Sequence, residues 1–269
     1  MITLLVISKL FASYINMSLR DAVICAIVLY EDIILDEWII YHKSLGFTKI
    51  YLYDNSPNFD LKNWPERYPD FLYVLHIPGR VMQLTAYDHF LQTFGHHYTW
   101  CAFIDADEFI VLKKHTNIVS MLEDHCQNGA LTLNWYMFGS SGHTNYLPEP
   151  VTKRFQLRAI NIDKHIKTIV HLASVVTMGI HECYVMKENS GVPHDTNGNQ
   201  VQGPYNPNGP IDVAVIHHYN AKSLEEYHWK IARGRADNGD IRTMEQFYEA
   251  DKDTNEVLDT SAWDHYKSL

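Results

Sequence analysis

Up to about residue 110 the chain alternates short, wholly apolar runs with longer segments of helical period, and few folds accommodate that order. Residues 21–29 (DAVICAIVL) are rich in β-branched side chains and lack the alternation of a strand with one wet face, which suits a strand covered on both sides. Ile34, Trp38, Tyr41 and Leu45 then recur at helical spacing, predicting a helix from about Asp32 to Leu45 with Gly46 as its C-terminal cap. Residues 47–53 return as a strand, ended by the turn sequence Asp54-Asn55-Ser56-Pro57. A third strand is expected at 71–77, a helix from about Val81 to His97, and a fourth strand over Trp100–Ile104. Strands separated by helices of this length argue for a mainly parallel sheet flanked by helices on both faces. The second half is less regular. Residues 130–137, 167–177 and 212–219 read as strands, 187–210 as a long Gly-, Pro- and Asn-rich loop, and Ser223 with Glu226 as a capping box that opens a helix. The expectation is an α/β fold, with one domain over residues 21–269 behind an N-terminal extension, 1–20.

A chain of 269 residues, 46% of them hydrophobic, can bury a sizeable core. Its formal charge of −10, from 22 basic against 32 acidic residues, argues against nucleic acid as a partner. The same charge does not exclude a nucleotide ligand, because a bound cation supplies positive charge locally. Cys25, Cys101, Cys126 and Cys183 show no CxxC pair and are expected to be buried thiols. The N-terminal apolar run is broken at Ser8 and Lys9, far short of the ~20 residues that cross a bilayer. No transmembrane segment is therefore expected, and Met17 competes with Met1 as the natural start. The expected location is cytoplasmic, with peripheral membrane attachment and a secretory compartment left open.

The strongest chemical signal is Asp105-Ala106-Asp107, directly after the fourth strand and before Phe109-Ile110-Val111. In an extended chain, residues i and i+2 face the same side, so two carboxylates would converge where open α/β sheets bind ligands. Like charges held together need a cation, and oxygen donors favour a hard ion such as Mn²⁺ or Mg²⁺. Such an ion can stabilise a departing diphosphate. Within His217-His218, adjacent strand residues face opposite ways, so one imidazole at most can join the carboxylates.

Around this signal the chain resembles glycosyltransferase family 92 and its family-2-like relatives. The resemblance runs through Tyr30-Glu31-Asp32, Asp36-Glu37-Trp38, Tyr53-Asp54-Asn55-Ser56, Gln83…Tyr87 and Phe103-Ile104-Asp105-Ala106-Asp107-Glu108. It resumes at Trp135…Phe138-Gly139-Ser140-Ser141-Gly142-His143 and at His218-Tyr219…Lys222-Ser223…Glu226…Lys230…Arg233-Gly234. The resemblance implies a GT-A fold and metal-dependent transfer of a sugar from a UDP-sugar donor to a glycan hydroxyl. It also implies inversion at the anomeric carbon, with galactose slightly preferred. The chain departs from the family at its N-terminus, where the usual membrane anchor and stem are absent.

By that match Asp105, Asp107 and His218 are the expected metal ligands. Tyr30, Glu31 and Asp54 are expected on the nucleoside, and Lys222 on the diphosphate, with Arg80 and Gln83 as weaker donor-side candidates. Glu182 is the expected catalytic base, with Asp195 and His143 competing, and Glu108 is read as structural. Trp135 and Tyr136 are either acceptor platforms or core, and the loop 138–143 could admit an acceptor. A carbohydrate-binding module without turnover and a sugar nucleotidyltransferase are the alternatives. The second is disfavoured because Tyr30-Glu31-Asp32 stands where that class carries a glycine-rich basic loop.

Overall fold

A computed structural model describes residues 20–188, 190–234 and 240–269. All but the last residue of the expected extension, and the Met17 question, lie outside the described residues. The first half follows the predicted order: β1 (Ala22–Val28), α1 (Asp32–Ser44), β2 (Lys49–Asp54), β3 (Leu72–His76), α2 (Gln83–Thr93) and β4 (Trp100–Phe103). Then come β5 (Glu108–Leu112), α3 (Ile118–His125), β6 (Ala130–Met137), the single turn α4 (Val151–Arg154), β7 (Leu157–Arg158) and β8 (Asp163–His171). The chain closes with β9 (Val175–Met178), β10 (Cys183–Met186), β11 (Pro193–His194), β12 (Ala214–His218), α5 (Leu224–Arg233), α6 (Met244–Lys252), β13 (Val257–Leu258) and α7 (Ser261–Tyr266).

The main sheet runs β3-β2-β1-β4-β8-β6-β12-β5, with β11 added on β6. The pairs β3–β2, β2–β1, β1–β4, β6–β12 and β6–β11 are parallel, whereas β8 runs antiparallel to β4 and β6, and β5 antiparallel to β12. The fold is thus the expected α/β class with a mainly parallel sheet. β1 is buried at every residue. Ala22, Ile24, Ala26 and Val28 pack towards Trp38 and Leu35 of α1, while Val23, Cys25 and Ile27 pack towards Tyr87 and Phe90 of α2. This two-sided burial is why the strand reads as an unbroken apolar run. All four cysteines are free and buried, as expected.

One expectation needs correction. The strand read at 167–177 is two strands, β8 and β9, separated at Leu172–Ser174, because Ser174 turns back to His171 and its hydroxyl accepts the Gly129 N–H. The apolar residues after Asp107 are a strand of their own, β5, at the far edge of the sheet. An edge strand needs its outer groups covered. Here α1 does so: Trp38 Nε1 donates to the Glu108 carbonyl at 2.8 Å, and the Tyr41 hydroxyl to that of Ile110 at 3.1 Å.

Candidate active site

The reversal between β4 and β5 carries Asp105 and Asp107. The Glu108 N–H returns to the Asp105 carbonyl at 3.1 Å, so the segment is a tight turn rather than extended strand. The i, i+2 convergence expected of a strand is therefore not observed. Both residues still line one cavity of about 460 Å³ at the carboxyl ends of β1, β4, β6 and β12, but their carboxylates take different partners. Lys167 Nζ, from the middle of β8, lies 2.9 Å from Asp105 Oδ2, and Gln83 Nε2 donates to Asp105 Oδ1 at 3.1 Å. Lys230 Nζ, from α5, lies 2.9 Å from Asp107 Oδ2 and also donates to Asn220. His218 Nε2 stands 3.5 Å from Asp107 Oδ1, and Lys222 Nζ 4.0 Å from Oδ2. Each acid is thus balanced by a buried lysine.

Burial alone would lower Lys167, but Asp105 and Glu108 outweigh it and hold the ammonium above its ordinary range. Glu108 itself, fully buried with Oε1 unpartnered, is pushed well up by desolvation. Its Oε2 accepts the Asp105 N–H at 2.9 Å and braces the turn, in the structural role expected. Burial would likewise raise Asp107, yet Lys230, His218 and Lys222 together hold it well below the carboxylate range. Lys230 moves down to about 8, first through burial, which outweighs the pull of Asp107, and then through the crowding of Lys222, Arg242 and Arg233.

Glu31 lies between this cavity and a second one of about 250 Å³, lined by Tyr30, Asp54, Ser56 and Trp64 among others. It pairs with Lys222 at 3.2 Å and with Arg233. Burial would raise Glu31, but Arg233 and Lys222 hold its carboxyl down at about 2. Because the folded pKa lies below the ordinary 4.5, this group stabilises the fold above pH 4.5, and the contribution drains away as pH falls towards 2. Glu31→Gln should flatten part of the loss of thermal stability across that window, leaving the shares of the other lowered carboxylates, among them Asp107 and Asp259, the latter held at about 2 by His217, Ser261 and Arg158 against the effect of burial. Melting temperature followed against pH tests this. A variant with the wild-type slope would refute it.

The other expected residues divide. Tyr30 is half exposed at φ 51° on the wall of the smaller cavity. Asp54 borders it too, but its carboxylate accepts the N–H groups of Ser56 and Leu61, each at 2.8 Å, and so holds the loop as an Asx turn does. Gln83 lines the main cavity, whereas Lys222 stands behind it and exposed Arg80 borders neither. Glu182 is not among the lining residues; its carboxylate lies against Gly179, in the turn before β10. Asp195 accepts the N–H groups of Asn197 and Asn199 and caps its own loop, and His143 Nε2 meets the Arg154 carbonyl. The loop 138–143 is tied to Asp251 and Asn255 and contributes nothing to the cavity wall. Trp135 and Tyr136 are buried, and Trp135 lines the cavity.

Among the described residues, no three His, Cys, Asp or Glu side chains form a metal cage. Asp107 and His218 nevertheless offer an oxygen and an imidazole nitrogen side by side, a pair suited to Mn²⁺ if other donors complete the shell. Lys167, Lys230, Arg233, Asp163 and His165 were missed as site residues. For α5 the signal was available: Glu226, Lys230 and Arg233 share a face at i, i+4 and i+7, where a buried helix face would ordinarily be apolar.

Comparison with known proteins agrees with the resemblance. The profile of glycosyltransferase family 92 matches residues 20–258. A family 92 protein of Ricinus communis is 26% identical over 158 residues, covering 56% of this chain and 28% of the relative. One of Arabidopsis thaliana is 22% identical over 228 residues, covering 80% and 37%. The chain thus spans about a third of the length of the curated relatives it matches. Among solved structures, S. aureus TarS overlaps 57% of this chain and 29% of its own at 10% identity and a TM-score of 0.34, too slight a likeness to bear on fold or function. Among the described residues, no helix is long and apolar enough to cross a membrane. With a family profile covering nearly the whole described chain, and curated family members matching it from two plants, the chain belongs to glycosyltransferase family 92.

Proposed function

We propose that the chain transfers a sugar from a UDP-sugar to a glycan hydroxyl with inversion, galactose being the first donor to try. The observation that carries this reading is the main cavity, where Asp107 and His218 stand beside Lys230 and Arg233 at the carboxyl ends of the strands. A diphosphate needs positive charge, and α5 brings Lys230 and Arg233 to the cavity wall, with Lys222 behind them on Glu31 and Asp107. The smaller cavity, reached past Glu31, has Tyr30 and Trp64 on its wall to stack on a base.

In this reading Asp107 and His218 would hold Mn²⁺ or Mg²⁺ together with oxygens of the diphosphate, at the place where Lys230 now meets Asp107 Oδ2. The ion would neutralise charge gathering on the departing diphosphate. Asp105, held by Lys167 and Gln83, keeps one edge towards the cavity for the donor's hydroxyls. The test is UDP release from several UDP-sugars, with and without Mn²⁺, in the presence of pooled glycans whose mass is read afterwards. Release coupled to gain of one hexose is expected. Tight glycan binding with no release from any donor would instead mean a binding module.

A further inference from the structure

Strand β8 enters the sheet through an irregularity. Asn134 pairs with Ile166, but the next residue of β6, Trp135, pairs with Asp163, so β8 carries two extra residues, Lys164 and His165, at this point. Such a bulge re-aims side chains, and bulges concentrate beside active sites. Here it brings Asp163 and His165 together at the wall of the main cavity. His165 Nδ1 lies 2.6 Å from Asp163 Oδ1, and the same oxygen accepts the His165 N–H at 2.8 Å. The ring is clamped by Trp135, stacked at 5.1 Å and 19°, and by the edge of Tyr205 at 4.8 Å. Asn134 anchors the bulge by donating to the Asp163 carbonyl at 3.0 Å. A carboxylate only accepts, so Nδ1 carries the proton and Nε2 presents a lone pair. Among the described residues Nε2 has no hydrogen-bond partner.

We infer that His165, oriented by Asp163, is the general base that takes the proton of the acceptor hydroxyl. The inference rests on the glycosyltransferase reading above. His165 Nε2 accepts that proton as the hydroxyl oxygen bonds to the anomeric carbon. The bond from that carbon to the diphosphate oxygen breaks, and its electron pair leaves with the nucleoside diphosphate. Asp163 is a positioning residue that fixes the tautomer and steadies the imidazolium until water removes the proton. Placement favours this base over its rivals on the wall. Strand β6 lies between β8 and β12, and its Trp135 indole meets the His165 ring at 5.1 Å and the His218 ring at 4.3 Å, so the dyad and the His218–Asp107 pair reach the cavity from different strands. His181 also lines the cavity, but among the described residues no carboxylate hydrogen-bonds its ring and its Nδ1 is buried without a partner.

The experiment compares wild type, His165→Ala and Asp163→Asn for donor-dependent transfer, UDP binding, and recovery of activity by added imidazole. His165→Ala should lose about 10²- to 10⁴-fold in kcat, the usual share of a general base, with UDP affinity unchanged and partial rescue by imidazole. Asp163→Asn should lower kcat with little change in donor KM. Transfer by wild type that survives His165→Ala, or a loss in that variant that imidazole leaves untouched, would overturn the dyad alone. No transfer by wild type from any donor would overturn the glycosyltransferase reading, and the dyad with it.

Discussion

Replacing Asp107 by asparagine is expected to cut sugar transfer by at least about 10²–10³-fold, the scale lost when one preorganised charge-stabilising group is removed from a site. The protein should remain folded. Breaking a buried ion pair costs about 3–5 kcal/mol when the surviving partner stays charged. Lys230 has another course open, because burial and the neighbouring Lys222, Arg242 and Arg233 already hold it at about 8. Without Asp107 it sheds its proton and keeps the Asn220 side-chain and carbonyl oxygens at 2.7 and 3.0 Å. The stability loss should then be about 1–3 kcal/mol, that of a weakened buried polar contact. UDP release and thermal unfolding on the same preparation separate the two effects. Unchanged turnover would end the role given to Asp107.

Arg154→Met is expected to produce the largest loss of stability, about 3–5 kcal/mol. Arg154 reaches Glu226 through two parallel bonds of 2.7 and 3.0 Å, with the two side chains only 2% and 3% exposed. Burial would raise Glu226, and the bonds from Arg154 and Ser223 bring it below its usual range. Removing the guanidinium leaves that carboxylate buried, with the Ser223 hydroxyl at 2.6 Å and the backbone of the capping box as its remaining support. Adding Glu226→Gln should return part of the loss, since no uncompensated charge then remains inside. Denaturant melts of the two single variants and the double variant give the coupling. Strictly additive losses would show that the pair is not the source. Because Glu226 completes the capping box in the first turn of the helix that carries Lys230 and Arg233, Arg154→Met should also weaken donor binding.

The residues that were legible in advance share a physical reason. β1 reads as apolar throughout because both faces are covered, and α1 reads as a helix because Ile34, Trp38 and Tyr41 fall on its inner face. The parity of a strand separates His217, turned towards Asp259 at 3.7 Å, from His218, turned towards Asp107 at 3.5 Å. Where the same rule was applied to Asp105 and Asp107 it failed, since a tight turn occupies the place of extended chain. The long loop 187–210 likewise concealed the short strand β11 and the network by which Asp195 holds Asn197 and Asn199.

Local pattern, then, determined the order of strands and helices, the burial of the four thiols, and the placing of two acids and one imidazole at the carboxyl ends of the strands. Such features depend on neighbours a few residues away, where periodicity and turn chemistry operate. Tertiary structure alone decided which cation meets which acid. Lys167 reaches Asp105 across 62 positions and Lys230 reaches Asp107 across 123, because the crossing of β8 beside β4 and the docking of α5 bring them there. The pairing of Asp163 with His165 is close in sequence, yet it too depended on the fold. Two residues apart on a plain strand they are unremarkable, and only the bulge opposite Trp135 turns both into the cavity.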